Sequence, residues 1–222
     1  MKLSEVKTLL LKELEPFAVN NGFKIVRKDF ALRKVYDDHT VIIIDFSYNY
    51  WQDEIHLFPY VKLEFNDIHR ICEDNGYHLN YTAFLNLFIL QIIVNGEWTE
   101  DTGWQMQYNF EDRFILYSAQ DVFALMQKLN GLLALALGYA KEYSTLEAID
   151  TLYNREPAFK YNPHCSGQNT HCIIGLIVAK LVGNPLYNEL QTTYSNIVNE
   201  EDFLPEIKNA FEQIRLFLNS RS

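Results

Sequence analysis

Two His-Cys pairs are the residues of this sequence with the clearest chemical potential. His164-Cys165 and His171-Cys172 lie six residues apart, and a tetrahedral Zn²⁺ accepts two imidazoles together with two thiolates. Adjacent ligands are awkward, because neighbouring side chains point apart in a strand and differ by about 100° in a helix. The competing interpretation is that Cys172 is a small buried hydrophobe and His164 a turn residue. A Cys165 nucleophile with His171 as its base would lack the third group that orients the base.

Two further groupings contain metal-competent side chains. His69, Cys72 and Glu73 share one face of a predicted helix, which is more typical of a polar flank beside a core cysteine. Asp37-Asp38-His39 lies between two β-prone runs, where Asp favours turns because its carboxylate bonds to nearby backbone N–H groups. Neither grouping predicts a catalytic centre.

Asp45 interrupts an apolar β-prone run, between Ile44 and Phe46. A carboxylate on a covered sheet face needs a partner. We expect Asp45 to pair with Lys62 or with Arg33 and to have a structural role.

Catalytic and nucleotide-binding motifs are missing from the sequence. It contains no G-x-G-x-x-G, G-x-x-x-x-G-K-[ST], H-E-x-x-H, G-x-S-x-G or EF-hand pattern, each of which carries a known chemical mechanism. We therefore expect a non-enzymatic protein that needs no cofactor.

Aromatic side chains are concentrated in two places. Tyr48, Tyr50 and Trp51 form one group, and Trp98 precedes a second that runs from Trp104 to Phe110. Tyr and Trp combine a large contact area with a polar tip, which makes them common at protein interfaces. Such a group can equally belong to the core, so both interpretations stay open. The candidates for partner binding are Tyr48, Tyr50, Trp51, Trp98 and Trp104.

Composition and charge limit the classes of function. The chain has 222 residues, of which 48% are hydrophobic, and 19 Lys and Arg against 29 Asp and Glu give a net charge of −10. An acidic chain is repelled by phosphates, which argues against a nucleic-acid partner. The charge is uneven, with +4 in residues 1–34 and −14 in the remainder. A solvated surface accounts for this split, although an acidic face also steers basic partners.

The location of the protein is predicted from its cysteines and apolar runs. Three cysteines in a chain of this length form no disulfide framework and fit a reducing cytoplasm. The N-terminus lacks the uninterrupted apolar core of a signal peptide. The longest apolar stretches, 84–94 and 131–140, are shorter than the roughly 20 residues of a membrane-spanning helix.

Hydrophobic periodicity predicts an α+β fold with a mostly antiparallel sheet. An opening helix from Ser4 towards Gly22 precedes β-prone runs at 23–28, 30–36, 40–50 and 54–65, the last interrupted by Pro59, which we expect at an edge or bulge. A helix begins at Asn66, residues 81–94 fit a strand or a helix, and 104–110 with 113–117 resemble a hairpin.

Helical spacing begins at Ser118 and continues to the C-terminus. Strands followed by helices, rather than strands alternating with them, are typical of the α+β class. Pro157, Pro163 and Gly167 indicate a linker within 155–169. We predict an α+β domain over 1–154 and a helical extension over 155–222 that packs on it.

Part of this pattern resembles a known bacterial family. The opening amphipathic helix, Asn21-Gly22-Phe23-Lys24, the strand with Phe30-x-Leu32-Arg33, and Tyr143 to Asp150 after a long helix are similar to the domain of unknown function 4304. The resemblance covers about residues 4–154, and its motifs are structural. It implies a small cytoplasmic protein of the immunity or antitoxin kind and no catalytic residues.

The sequence therefore predicts a cytoplasmic protein that acts by binding another protein. A toxin-neutralising factor with a basic toxin domain as its partner is the specific form of this hypothesis, without a membrane or nucleic-acid role. One alternative is a zinc-dependent enzyme or metal-binding protein built on His164, Cys165, His171 and Cys172. The other is a scaffold that self-associates through the sheet edge near Pro59. The oligomeric state stays open.

Overall fold

An antiparallel sheet in the N-terminal half of the chain is combined with helices in an α+β arrangement, as predicted. The computed structural model describes residues 2–52, 54–99 and 114–221. The strands described there are β1 (Lys24–Val26), β2 (Ala31–Val35), β3 (Thr40–Trp51), β4 (Glu54–Phe65), β5 (Ala83–Asn86) and β6 (Phe114–Leu116). Their order in the sheet is β1-β2-β3-β4-β5, and β6 pairs with β4.

The helices of the described residues come mainly after the strands. They are α1 (Leu3–Glu13), α2 (Glu15–Asn20), α3 (Asn66–Asp74), α4 (Leu87–Val94), α5 (Asp121–Glu142), α6 (Leu146–Asn154), α7 (Gln168–Leu181), α8 (Tyr187–Glu200) and α9 (Pro205–Ser220). The single opening helix expected from the sequence is two helices. Pro16 lies in the first turn of α2, and because proline has no N–H, it cannot continue the hydrogen bonding of α1.

The register of β2 and β3 places their apolar side chains on common faces. Leu32 lies opposite Ile44, and both side chains are fully buried. A slip of one residue would turn every side chain of a strand to the other face. The burial of this pair therefore maintains the register, and with it the position of every residue further along β3.

Of the two positions that we expected for Pro59, an edge or a bulge, the structure excludes the edge of the sheet. Pro59 lies in β4, which is internal in the strand order. Strand β6 pairs with residues 55–57 of β4, where Ile55 lies opposite Leu116 and Leu57 opposite Phe114. This pairing ends before Pro59, whose missing N–H therefore costs none of the β6 ladder.

Residues 81–94, which fit either a strand or a helix, contain both. The alternating burial of β5 ends at Asn86, and α4 begins at Leu87. The Asn86 side chain accepts a hydrogen bond from the Phe88 N–H at 2.9 Å. Such an N-cap satisfies a donor that the first turn of a helix leaves unpaired. The apolar run therefore changes period at an identifiable capping residue.

The chain divides into two compact units that do not follow chain order. Unit 1 comprises residues 1–36, 41–62 and 85–141, and unit 2 comprises 37–40, 63–84 and 142–222. These bounds differ from the predicted division at residue 154. By sequence, unit 1 holds twelve Lys and Arg against thirteen Asp and Glu, and unit 2 holds seven against sixteen. The net charge is therefore −1 in unit 1 and −9 in unit 2.

Helix α5 is the one helix of the described residues that is long enough and apolar enough to cross a membrane by length and composition alone. Its buried side chains, which include Val122, Leu125, Leu129 and Leu133, recur at three- and four-residue spacing. This is also the pattern of a helix that packs in the core of a globular domain. The composition of α5 is thus weak support for a membrane span.

Candidate functional site

The end of β3 is the place in unit 1 where aromatic side chains leave the core. The strand is buried from Thr40 to Ile44 and at Phe46, and every residue from Ser47 to Trp51 is exposed. Tyr48, Tyr50 and Trp51 have exposed fractions of 37%, 51% and 61%. We call these three residues the hairpin aromatic surface. Three large rings exposed within four residues are unusual for a surface that contacts only water.

Strand periodicity determines how these rings are presented. Tyr48 and Tyr50 lie on the same face of β3 as buried Phe46, and Trp51 lies on the opposite face. Gln52 follows in the left-handed conformation, with φ at 54°, as tight hairpin turns require. Tyr48 and Tyr50 thus continue the Phe46 face of β3 beyond the part that the core covers, whereas Trp51 lies on the other face.

Tyr48 is held in place by two neighbours from other elements. The Lys7 ammonium of α1 lies 4.0 Å from the centroid of the Tyr48 ring, which is the geometry of a cation–π contact. The Phe30 ring contacts Tyr48 edge to face, with centroids 6.3 Å apart. These contacts restrict the Tyr48 ring before any partner arrives, which lowers the entropy lost on binding.

Phe30 occupies a strained backbone position to make this contact. Its φ is 52°, a left-handed conformation that is rare for a bulky residue. Its side chain is nevertheless buried and also packs on Phe46, with centroids 5.5 Å apart. Burial of the ring offsets the backbone strain, and the turn before β2 is thereby positioned against the end of β3.

The other predicted aromatic candidates are placed differently. Trp98 is half-buried, after α4, and Trp104 lies outside the described residues. Tyr117, which we did not predict, is 62% exposed. It directly follows β6, whose Leu116 lies opposite Ile55 at the start of β4. The sequence signal was present in the β-prone run that ends at Tyr117. The predicted hairpin partner of this run, residues 104–110, lies outside the described residues, and its pairing with β4 was not predicted.

The predicted zinc ligands do not form a metal site. Among the described residues, no group of three or more His, Cys, Asp and Glu is arranged to hold a metal ion. His171 and Cys172 are consecutive residues of α7, so their side chains diverge around the helix. The Cys165 thiol lies 3.4 Å from the carbonyl oxygen of Gly167 and 3.6 Å from that of Asn162. Burial raises the pKa of both thiols to about 12, so the thiolates that zinc requires are disfavoured.

His171 is instead a structural side chain of unit 2. Its imidazole contacts the Tyr153 and Tyr194 rings, with centroids 5.4 and 5.9 Å away. Its Nδ1 lies 3.3 Å from the Asn162 amide nitrogen. Burial lowers the pKa of His171 to about 4, and it does the same for His164. Both imidazoles are therefore neutral near pH 7, which suits packing and argues against a histidine poised to transfer a proton.

A hydrogen-bond network next to His171 joins three helices of unit 2. The Asn154 amide of α6 donates to the Gly175 carbonyl of α7 at 2.9 Å and to Asp150 at 2.7 Å. The Tyr194 hydroxyl of α8 donates to the Asn154 side-chain oxygen, and the Asn184 amide donates to Asp150 at 2.7 Å. These polar groups hydrogen-bond to one another and thereby connect α6, α7 and α8.

Gly175 makes the close approach of these helices possible. A Cβ atom at this position would lie 2.8 Å from Cζ of Tyr194 and 2.9 Å from the side-chain oxygen of Asn154. Both distances are shorter than carbon contacts allow. The network therefore requires glycine, which has no Cβ atom, at position 175.

The remaining acidic candidates also have structural roles. Asp37 accepts hydrogen bonds from the N–H groups of His39 and Thr40 at 2.8 and 2.6 Å, which is the turn geometry predicted for this stretch. Asp45 forms an ion pair with Lys62, and both side chains are largely buried. Of the two partners expected for Asp45, Lys62 is the observed one, and the structural role is confirmed.

Comparisons with family models, with curated proteins and with solved structures gave no match for this chain. The resemblance to the domain of unknown function 4304 therefore stays a prediction.

Proposed function

We propose that this protein acts by binding another protein through the hairpin aromatic surface. The observation that carries the proposal is the exposure of Tyr48, Tyr50 and Trp51 within four residues, with the Tyr48 ring already held by Lys7. Tyr and Trp side chains dominate the binding energy of protein interfaces, because they bury a large area and lose little conformational entropy.

The specific role that we propose is neutralisation of a toxin in the cytoplasm. A protein that covers a partner's surface needs no catalytic groups, and the titratable groups of unit 2 described above are used for packing. The net charge of −9 in unit 2 supports the prediction of a partner with a basic net charge, since it would speed the encounter. The three cysteines are all free, which is compatible with a reducing compartment.

Two observations favour protein binding over the two alternative functions. The zinc hypothesis required four ligands that are not brought together, and the scaffold hypothesis required an edge at Pro59, which lies in an internal strand. Self-association by another route is an outcome that light scattering on the purified chain would reveal.

Co-purification with the product of the neighbouring gene tests the proposal. The double variant Tyr50→Ala, Trp51→Ala is expected to lose the partner, because truncating aromatic anchors typically costs about 2 kcal/mol or more each. Phe123→Ala is the matched control, since Phe123 of α5 is also an exposed aromatic, at 54%. Retention of the partner by the double variant, or absence of any complex with the wild-type chain, would contradict the proposal.

A further inference from the structure

A cation adjoins the hairpin aromatic surface at Tyr48, and the turn that ends at Phe30 carries two further cations and one carboxylate. Lys7 lies over Tyr48 and is also 5.1 Å from the centroid of Phe30. Arg27 and Lys28 are exposed in the turn that ends at Phe30, the residue whose ring contacts Tyr48. We call Lys7, Arg27 and Lys28 the cationic border. Asp29 lies in the same turn, so the net charge of this group is +2.

The cationic border has charge available for a partner. No ion pair among the described residues involves Lys7, Arg27 or Lys28. Arg27 and Lys28 are exposed and Lys7 is half-buried. Cations without an internal counter-ion become stronger partners for an anionic group once water is excluded. The local charge therefore has the opposite sign to the net charge of −10.

We propose that the segment docking on the hairpin aromatic surface is an acidic stretch of the partner protein. This inference rests on the proposed function and adds the chemistry of the contact. The rings provide the apolar anchor, and carboxylates of the partner pair with Lys7 and with the Arg27-Lys28 turn. A partner of basic net charge satisfies both requirements when one acidic segment reaches the hairpin.

A protein segment fits this surface better than a nucleic acid does. Single-stranded nucleic acids also stack on aromatic rings, but they need a groove of cations that follows several phosphates. Here Lys7 contacts the Tyr48 ring and two further cations lie in the neighbouring turn, and the chain beyond residue 34 carries −14. A few carboxylates suffice for the border, whereas the net charge of −10 disfavours the binding of a longer polyanion.

The test uses a fluorescein-labelled random copolymer of glutamate and tyrosine as the probe, titrated with the full chain and followed by anisotropy. We expect saturable binding that weakens at high salt. Lys7→Gln should weaken it by at least about fivefold, because a desolvated charge pair is lost. Lys7→Arg should retain it, and Lys128→Gln, at an exposed lysine of α5, should leave it unchanged.

Each contrary result overturns the inference. The decisive ones are tighter binding of a lysine–tyrosine copolymer, no saturable binding of the acidic probe, or equal effects of Lys7→Gln and Lys128→Gln. Preferred binding of oligothymidylate would assign the surface to nucleic acid, and Lys7-dependent self-association would assign it to a second copy of the chain. If Tyr50→Ala abolishes binding of the natural partner and Lys7→Gln leaves it unchanged, the docking segment is not acidic and the proposed function still holds. A partner indifferent to both changes would refute both.

Discussion

Replacing Gly175 with alanine tests whether the network of unit 2 is packed as closely as the structure indicates. The new methyl group would overlap the Tyr194 ring, 2.8 Å away at Cζ, and the Asn154 oxygen, 2.9 Å away. Neither neighbour can move without losing the hydrogen bond that joins them. The substitution therefore combines overpacking with the loss of buried hydrogen bonds.

The expected magnitude follows from these two effects. Overpacking typically costs about 1–3 kcal/mol, and each buried hydrogen bond that is broken adds about 1 kcal/mol. The higher helix propensity of alanine returns about 1 kcal/mol. With the one hydrogen bond between Tyr194 and Asn154 lost, we therefore expect Gly175→Ala to lower the free energy of unfolding by about 1–3 kcal/mol.

Urea unfolding followed by far-UV circular dichroism measures this change, and Gly138→Ala is the matched control. Gly138 is also in a helix, α5, but a Cβ there meets nothing within 4 Å, so the same substitution should stabilise by up to about 1 kcal/mol. Adding Tyr194→Phe, which removes the hydroxyl, should reduce the penalty of Gly175→Ala. Equal stabilities of the Gly175→Ala and Gly138→Ala variants would refute the packing described for unit 2.

Three further changes have definite expected outcomes. His164 and His171 have pKa values of about 4 when folded and about 6.5 when unfolded, so the unfolded chain binds more protons between pH 4 and pH 6.5. The free energy of unfolding should therefore be constant above about pH 6.5 and fall towards pH 4 by up to about 3 kcal/mol per imidazole. Urea midpoints that do not change with pH would contradict this. Lys62→Met should lower the free energy of unfolding by about 3–5 kcal/mol, because it leaves the Asp45 carboxylate buried without its lysine partner. Adding Asp45→Asn should restore much of this stability, and chemical denaturation measures both variants. Cys165 should react with dithionitrobenzoate only slowly in the native chain and rapidly in urea, because burial raises its thiol pKa to about 12; fast native labelling at Cys165 would show that the thiol is accessible and ionised.

Local patterns in the sequence were sufficient to predict the strands β1 to β4, whereas β5 lies in a segment that fitted a strand or a helix. Period-2 alternation predicted β4 over the same residues that the structure shows and β3 to within one residue, because alternation depends only on which face each side chain occupies. The pairing of Asp45 was predictable in kind, since a charge within an apolar strand needs a partner. The choice between Arg33 and Lys62 was not, because it depends on register. In the structure, Ala31 lies opposite Asp45 and Arg33 lies opposite Ile43.

Contacts between distant parts of the chain could not be predicted. The sequence identified Tyr48, Tyr50 and Trp51 as candidates but left open whether they were in the core or on the surface. Residue type alone does not show whether other elements pack over a side chain. The position of Lys7 over Tyr48 depends on how α1 packs on the sheet, 41 residues away in sequence. The His-Cys pairs attracted attention by residue type, whereas their roles depend on the loop before α7 and on two tyrosines from α6 and α8.

Tryptophan emission reports directly whether the hairpin aromatic surface is covered in a complex, because Trp51 belongs to that surface. A variant with Trp98→Phe and Trp104→Phe retains Trp51 as its single tryptophan, at 61% exposure in the free chain. When the co-purified partner is added, we expect a blue shift of Trp51 emission and protection of Trp51 from acrylamide quenching. A complex that forms while the emission and quenching of Trp51 stay unchanged would contradict the proposal.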